Sequence, residues 1–163
     1  MNIGIVILLA LLALWKADWK NWEKYYPTML YIALAASVYE IIAYEKFHLW
    51  DFKESIILTK VMVHFIHNLI INPLVVLLFL SNYPSSGSEI IYNAKWVVGF
   101  WIVECLVSTT DAITYHNGWN LGWSLLFLIV MFPMVRLHHL NKSLALPLSI
   151  GISILLLLLF DYI

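Results

Sequence analysis

Residues 56–80 read IILTKVMVHFIHNLIINPLVVLLFL, an apolar run in which Lys60, His64, His67 and Asn68 recur on one helical face. About 20 apolar residues in a helix cross the ~30 Å hydrocarbon layer of a bilayer. Ionisable side chains inside such a run are tolerated where they face protein or water, not acyl chains. The stretch therefore predicts a transmembrane helix whose single polar stripe is turned inward, and that stripe is the first place to look for function.

The rest of the chain has the same character. It is 163 residues long, 63% hydrophobic and only 12% charged, with a mean hydropathy of +0.86; soluble globules carry roughly twice that charged fraction. Six apolar segments emerge: Asn2 to Leu14, Tyr25 to Tyr44, Ile56 to Leu80, Ile90 to Thr114, Trp119 to Leu137 and Leu144 to Phe160. The expectation is an all-α, polytopic transmembrane helical bundle forming one integral membrane domain, with five spans as the fallback because the first segment is short. That segment lacks a basic leader and a small-residue cleavage site, so it reads as a retained helix. A net charge of -1, with no cluster of Lys and Arg, excludes nucleic acid as a partner. The lone Cys105 excludes disulfides within the chain, Cys-ligated zinc and iron–sulfur clusters, and no cofactor is implied.

Lys16, Lys20 and Lys24 follow the first segment, and Arg136 and Lys142 border the loop before the last. Cytoplasmic ends collect Lys and Arg, so these ends are expected inside and both termini outside. Trp15, Trp19, Trp22 and Tyr26 recur at steps of four, three and four. Residues 15–26 thus read as an amphipathic helix at the interface, an anchor of aromatic rings and snorkelling lysines.

Segments two to five hold nearly all the intramembrane polar groups, together with Pro73 and Pro133, which free the carbonyls of Leu69 and Ile129. Segments one and six, aliphatic all round, are expected at the periphery. At ~1.5 Å per residue, Glu40 and Lys60 lie about 6 Å below the Glu45 to Ser55 loop, and Asp111 at ~5 Å, so Glu40 and Lys60 can pair. His64, His67 and Glu104 come out deeper, at ~12, ~17 and ~15 Å. Glu104, Ser108, Asp111 and Tyr115 share one stripe, as do Ser37, Glu40 and Tyr44. Three antiparallel helices, each with one polar face, exclude lipid when those faces meet. The expectation is a polar pocket built from Glu40, Lys60, His64, His67, Asn68, Glu104, Ser108 and Asp111, open toward the loop containing His48.

With Glu40, Glu104 and Asp111 set against Lys60 and the histidines, such a pocket suits a proton, a cation or a small amine better than an anion. Three readings stay open: binding or translocation of such a ligand, completed if need be by a homo-oligomer; a structural or assembly role beside another membrane protein; and a metal-dependent enzyme acting on lipid, with His64, His67 and Glu104 as ligands. HExxH, GxSxG and GxxxxGK motifs are all absent from the sequence. Isolated polar groups have plainer roles: Lys95 snorkels, Arg136 caps a helix end, and His48 and His116 are solvated in loops.

The stretches Tyr115-His116-Asn117-Gly118-Trp119-Asn120 and Met131-Phe132-Pro133-Met134-Val135-Arg136-Leu137-His138-His139, with Tyr25-Tyr26 and Leu49-Trp50, resemble a family of small polytopic membrane proteins from spore-forming Gram-positive bacteria. The resemblance implies a helical fold in the bacterial cytoplasmic membrane. It brings no functional residues with it.

Overall fold

The computed structural model describes residues 3–52, 59–110 and 112–163. Its helices are α1 (Ile3–Lys16), α2 (Trp22–Glu45), α3 (Lys60–Ile66), α4 (Asn72–Ser81), α5 (Glu89–Ser108), α6 (Leu121–Leu140) and α7 (Lys142–Leu159). A π-helical turn, His67–Ile71, joins α3 to α4 as one rod, and a 3-10 turn, Trp19–Asn21, leads into α2. Five of the resulting helices are long and apolar enough to cross a membrane: Trp19–Glu45, Val61–Ser81, Glu89–Ser108, Leu121–Leu140 and Lys142–Leu159. In hydrocarbon a backbone must satisfy its own hydrogen bonds, which a helix does within one segment.

Consecutive rods run antiparallel. One end of the bundle, here the basal end, gathers Lys16, the start of α2, the α4–α5 turn and the α6–α7 junction. The other end gathers residues 46–52, 109–110, 112–120 and 160–163. α4 is the centre: every residue from Val75 to Leu80 is buried, with α1 on one side and α2 on the other. α6 in turn touches α2, α5 and α7. Phe79 and Phe132, both almost fully buried, meet at 5.1 Å where α4 and α6 approach. α7 leans on α6 and leaves most of its length exposed.

Local sequence explains the boundaries. Asn120 caps α6 by accepting from the Gly122 and Trp123 amides at 2.9 and 3.3 Å, and Asn141 caps α7 through the Leu144 amide at 3.1 Å. Both use an Asn carbonyl to satisfy amides that lack an intrahelical partner. Asn117 and Gly118 both adopt left-handed φ, 53° and 84°, a turn glycine adopts without steric cost and asparagine tolerates. Ahead of Pro73, the Asn72 amide reaches back five residues to the His67 carbonyl. That wider turn relieves the clash a proline ring makes with the carbonyl four residues earlier, here that of Leu69.

Two expectations need correction. No continuous interfacial helix covers 15–26: α1 ends at Lys16, the Asp18 amide turns to the Ser81 hydroxyl at 3.0 Å, and α2 starts at Trp22. The aromatic periodicity survives a break in the helix because Trp19 folds back to donate to the Ala13 carbonyl at 2.8 Å. The fourth span stops at Ser108, not Thr114, since Ser108, Thr109 and Thr110 each turn a hydroxyl onto a carbonyl three residues back, a competition with the helix ladder. The all-α expectation holds for the bundle, which one short ribbon supplements. Trp50–Phe52 (β1) and Ile113–Tyr115 (β2) pair antiparallel, Trp50 opposite Tyr115 and Asp51 opposite Thr114.

Candidate functional site

The β1–β2 ribbon ties the loop after α2 to the loop after α5, and it delivers Asp51 to the bundle. Below it, His64 is held by two carboxylates: Nδ1 lies 2.7 Å from Glu40 Oε1, and Nε2 lies 3.3 Å from Asp51 Oδ1. Both ring nitrogens donate only in the imidazolium form, so the geometry fits a charged ring bracketed by two carboxylates. The second oxygen of Glu40 lies 3.5 Å from His48 Nε2. A continuous polar chain, His48–Glu40–His64–Asp51, thus runs from one loop segment through α2 and α3 and back to the ribbon.

The cluster is sheltered. The His64 side chain is 9% exposed, Asp51 17%, and Glu40 and His48 22% each, and aromatic rings roof it. Trp50 stacks on Tyr39 at 4.4 Å and leans on Trp119 at 4.9 Å. Trp119 is fixed by donating to the buried Ser124 hydroxyl at 2.9 Å. Tyr39 accepts from the Leu49 amide at 3.2 Å, and Tyr162 donates to the Phe47 carbonyl at 2.7 Å. Burial pushes the Tyr162 hydroxyl up from its ordinary pKa; its contact with Tyr39 opposes this and nearby Glu40 adds to it.

The expected residues divide into those brought together and those kept apart. Glu40 and His64 meet, as the α2–α3 hairpin requires. They meet near the loop end: His64 is four residues from the first residue of α3, or ~6 Å, because α3 begins at Lys60. His67 and the buried Asn68 follow in the π turn, side by side. The Lys60 side chain and all of Asp111 lie outside the described residues, so the Glu40–Lys60 pair does as well. Glu104 does not join the histidines. It accepts a hydrogen bond from the Tyr115 hydroxyl at 2.8 Å, because α5 packs on α6 and β2 and offers no extended face to α2 or α3. Ser108 turns to the Cys105 carbonyl on the same helix. His64 meets Glu40 and Asp51 directly, so these three side chains leave no open space between them. Among the described residues, no three His, Cys, Asp or Glu side chains are arranged to share a metal; His64 is engaged by Glu40 and Asp51, and Glu104 by Tyr115.

No family model, curated protein or solved structure matches the chain. The geometry alone carries the functional reading.

Sequence reasoning missed His48 and Asp51 as site members. Both lie in a loop whose path depends on a three-residue strand, Trp50–Phe52, too short to set an alternating apolar and polar pattern. His48 is a partner of Glu40, not a solvated loop residue, whereas the exposed His116 ring meets the Thr114 hydroxyl at 3.1 Å and its backbone amide donates to the Leu49 carbonyl at 2.8 Å.

Tyr115 gives a test of the ribbon's anchorage. Burial, with Glu104 adding to it, pushes its hydroxyl up from the ordinary tyrosine pKa. The fold therefore favours the neutral phenol, and this contribution is complete below about pH 10 and lost as pH rises toward the raised value. Tyr115→Phe is expected to cost about 1 kcal/mol at neutral pH and to flatten the alkaline decline, measured by unfolding in bicelles. An unchanged alkaline decline in Tyr115→Phe argues against this anchorage.

Proposed function

We propose that the protein is an integral membrane protein whose His48–Glu40–His64–Asp51 cluster takes up and releases a proton at one end of the bundle. The observation that carries the reading is an imidazole with a carboxylate at each nitrogen, bonded onward through Glu40 to a second imidazole near the loop. Charged groups are expensive in a membrane and are kept there chiefly for ion or proton handling. A proton needs no cavity, and the direct contacts leave no gap for an amine or a hydrated cation between Glu40, His64 and Asp51.

In this reading the five long helices cross the bilayer. α1, 14 residues and ~21 Å long, reaches only part of the way beside α4, so the sixth crossing is partial. The lysine-rich basal end is cytoplasmic by the charge rule, which puts the ribbon and the proton site at the opposite face. The reading places the protein in the bacterial cytoplasmic membrane, the location the sequence resemblance implies.

Infrared difference titration in bicelles, from about pH 4 to 9, tests the reading. Carboxylate and imidazole bands are expected to change together in the wild type and to disappear in Glu40→Gln and His64→Gln. A spectrum that does not change with pH, or one that persists in both variants, leaves the cluster as a tie between helices, which is the assembly reading. Decay of an imposed pH gradient in proteoliposomes then separates translocation from binding at one face.

A further inference from the structure

Positive charge converges on the basal end from three helices. Lys24 in the first turn of α2, Arg136 near the end of α6 and Lys142 at the start of α7 all act electrostatically on the His139 ring. Aromatic rings hold two of these cations in place. The Lys24 ammonium lies 5.4 Å over Tyr25, which itself stacks on His139 at 5.4 Å, and the Arg136 guanidinium lies 4.2 Å over Tyr83. Among the described residues none of the three forms an ion pair with a carboxylate. Asp18, on the same end, accepts instead from the Asn21 amide at 2.9 and 3.1 Å. Asp18 and Glu23 line the same surface as Lys20 and Lys24 without pairing with the three cations among the described residues, and like charges gathered with no carboxylate in direct contact cost Coulomb energy that an anion among them reverses in sign.

The level of this cluster in the bilayer identifies the anion. Trp15, Trp19, Trp22 and Tyr26 surround the same end and are 77, 40, 40 and 43% exposed, and exposed Trp and Tyr settle at headgroup depth. Lys24 and Lys142 are exposed and Arg136 half-buried, an arrangement reachable from the headgroup layer. The start of α7 adds the positive end of an 18-residue helix. We propose that the basal end binds the phosphate of an anionic phospholipid between Lys24, Arg136 and Lys142. The assignment is independent of the proton site, which lies at the other end of α2.

Native mass spectrometry of the full chain, released from micelles containing equal amounts of phosphatidylglycerol and phosphatidylcholine, tests it. Phosphatidylglycerol is expected to be retained preferentially and to raise the melting temperature. The Lys24→Gln/Lys142→Gln double variant should weaken that retention about thirtyfold, at roughly 1 kcal/mol per lysine. Both side chains are exposed, so melting in phosphatidylcholine alone reports whether the variant is folded. Lys46→Gln, an exposed lysine at the opposite end, should leave retention as it is. Equal retention of the two lipids, undiminished retention in the double variant, or an equal melting shift from inorganic phosphate alone overturns the proposal.

Discussion

His64→Ala is expected to destabilise the protein by about 3 kcal/mol, the lower end of the range for breaking a buried ion pair. The imidazole is the contact common to two carboxylates: without it Glu40 and Asp51 face each other across the vacated space, and Glu40 keeps only the longer 3.5 Å approach of His48. The lower end of the range applies because Glu40 and Asp51 retain 22 and 17% exposure, so water screens part of the repulsion. Combining His64→Ala with Glu40→Gln removes one of the two charges beside the vacated ring and should recover part of the loss. The measurement is a double-mutant cycle from reversible unfolding in bicelles. Additive costs for the two substitutions would show that the ring and the carboxylate act separately and would end the bracketed-imidazolium description.

The second large effect belongs to the core. Phe79→Ala is expected to cost about 3–5 kcal/mol. Phe79 is almost fully buried and meets the rings of Tyr83, Tyr92, Trp96 and Phe132 at 5.1 to 5.4 Å. In a bilayer the loss is one of dispersion contacts, since lipid tails are as apolar as the core and little is gained from water. The Tyr92 hydroxyl also donates to the Phe79 carbonyl at 2.8 Å, so α5 is set against α4 through this residue. Phe79→Leu, which keeps most of the volume, should cost less than about 1.5 kcal/mol. Similar costs for leucine and alanine would mean that ring-to-ring geometry, not filled volume, holds α4, α5 and α6 together.

What could be read from the chain follows from which forces act locally. Apolar length and helical spacing reveal the rods, and two successive rods must form a hairpin, so connectivity puts Glu40 and His64 in one polar pocket, but depth counting sets His64 a layer below Glu40, whereas the two meet directly. The gathering of Lys16, Lys20, Lys24, Arg136 and Lys142 at one end follows equally from antiparallel order. Glu104 shows the limit. A polar stripe reveals that a helix has an inner face, not which neighbour that face meets, and α5 turns to α6 instead of to the α2–α3 hairpin. Tyr115, beyond the end of that helix, supplies its partner. Strands of three residues escape periodicity altogether, because Trp50–Phe52 is too short to set a pattern and is stabilised by a partner far along the chain. Asp51 and His48 are hidden with it.

That distant pairing also orders events at the ribosome. Trp50–Phe52 is synthesised well before Ile113–Tyr115, so, in the proposed membrane setting, the early hairpin waits with its edge unmatched. Only when α5 has threaded and β2 emerges on the same side can the clasp close over His64. The finished geometry of the imidazole is thus a late product of biogenesis, and a nascent chain stalled before β2 carries the hairpin but not the roof.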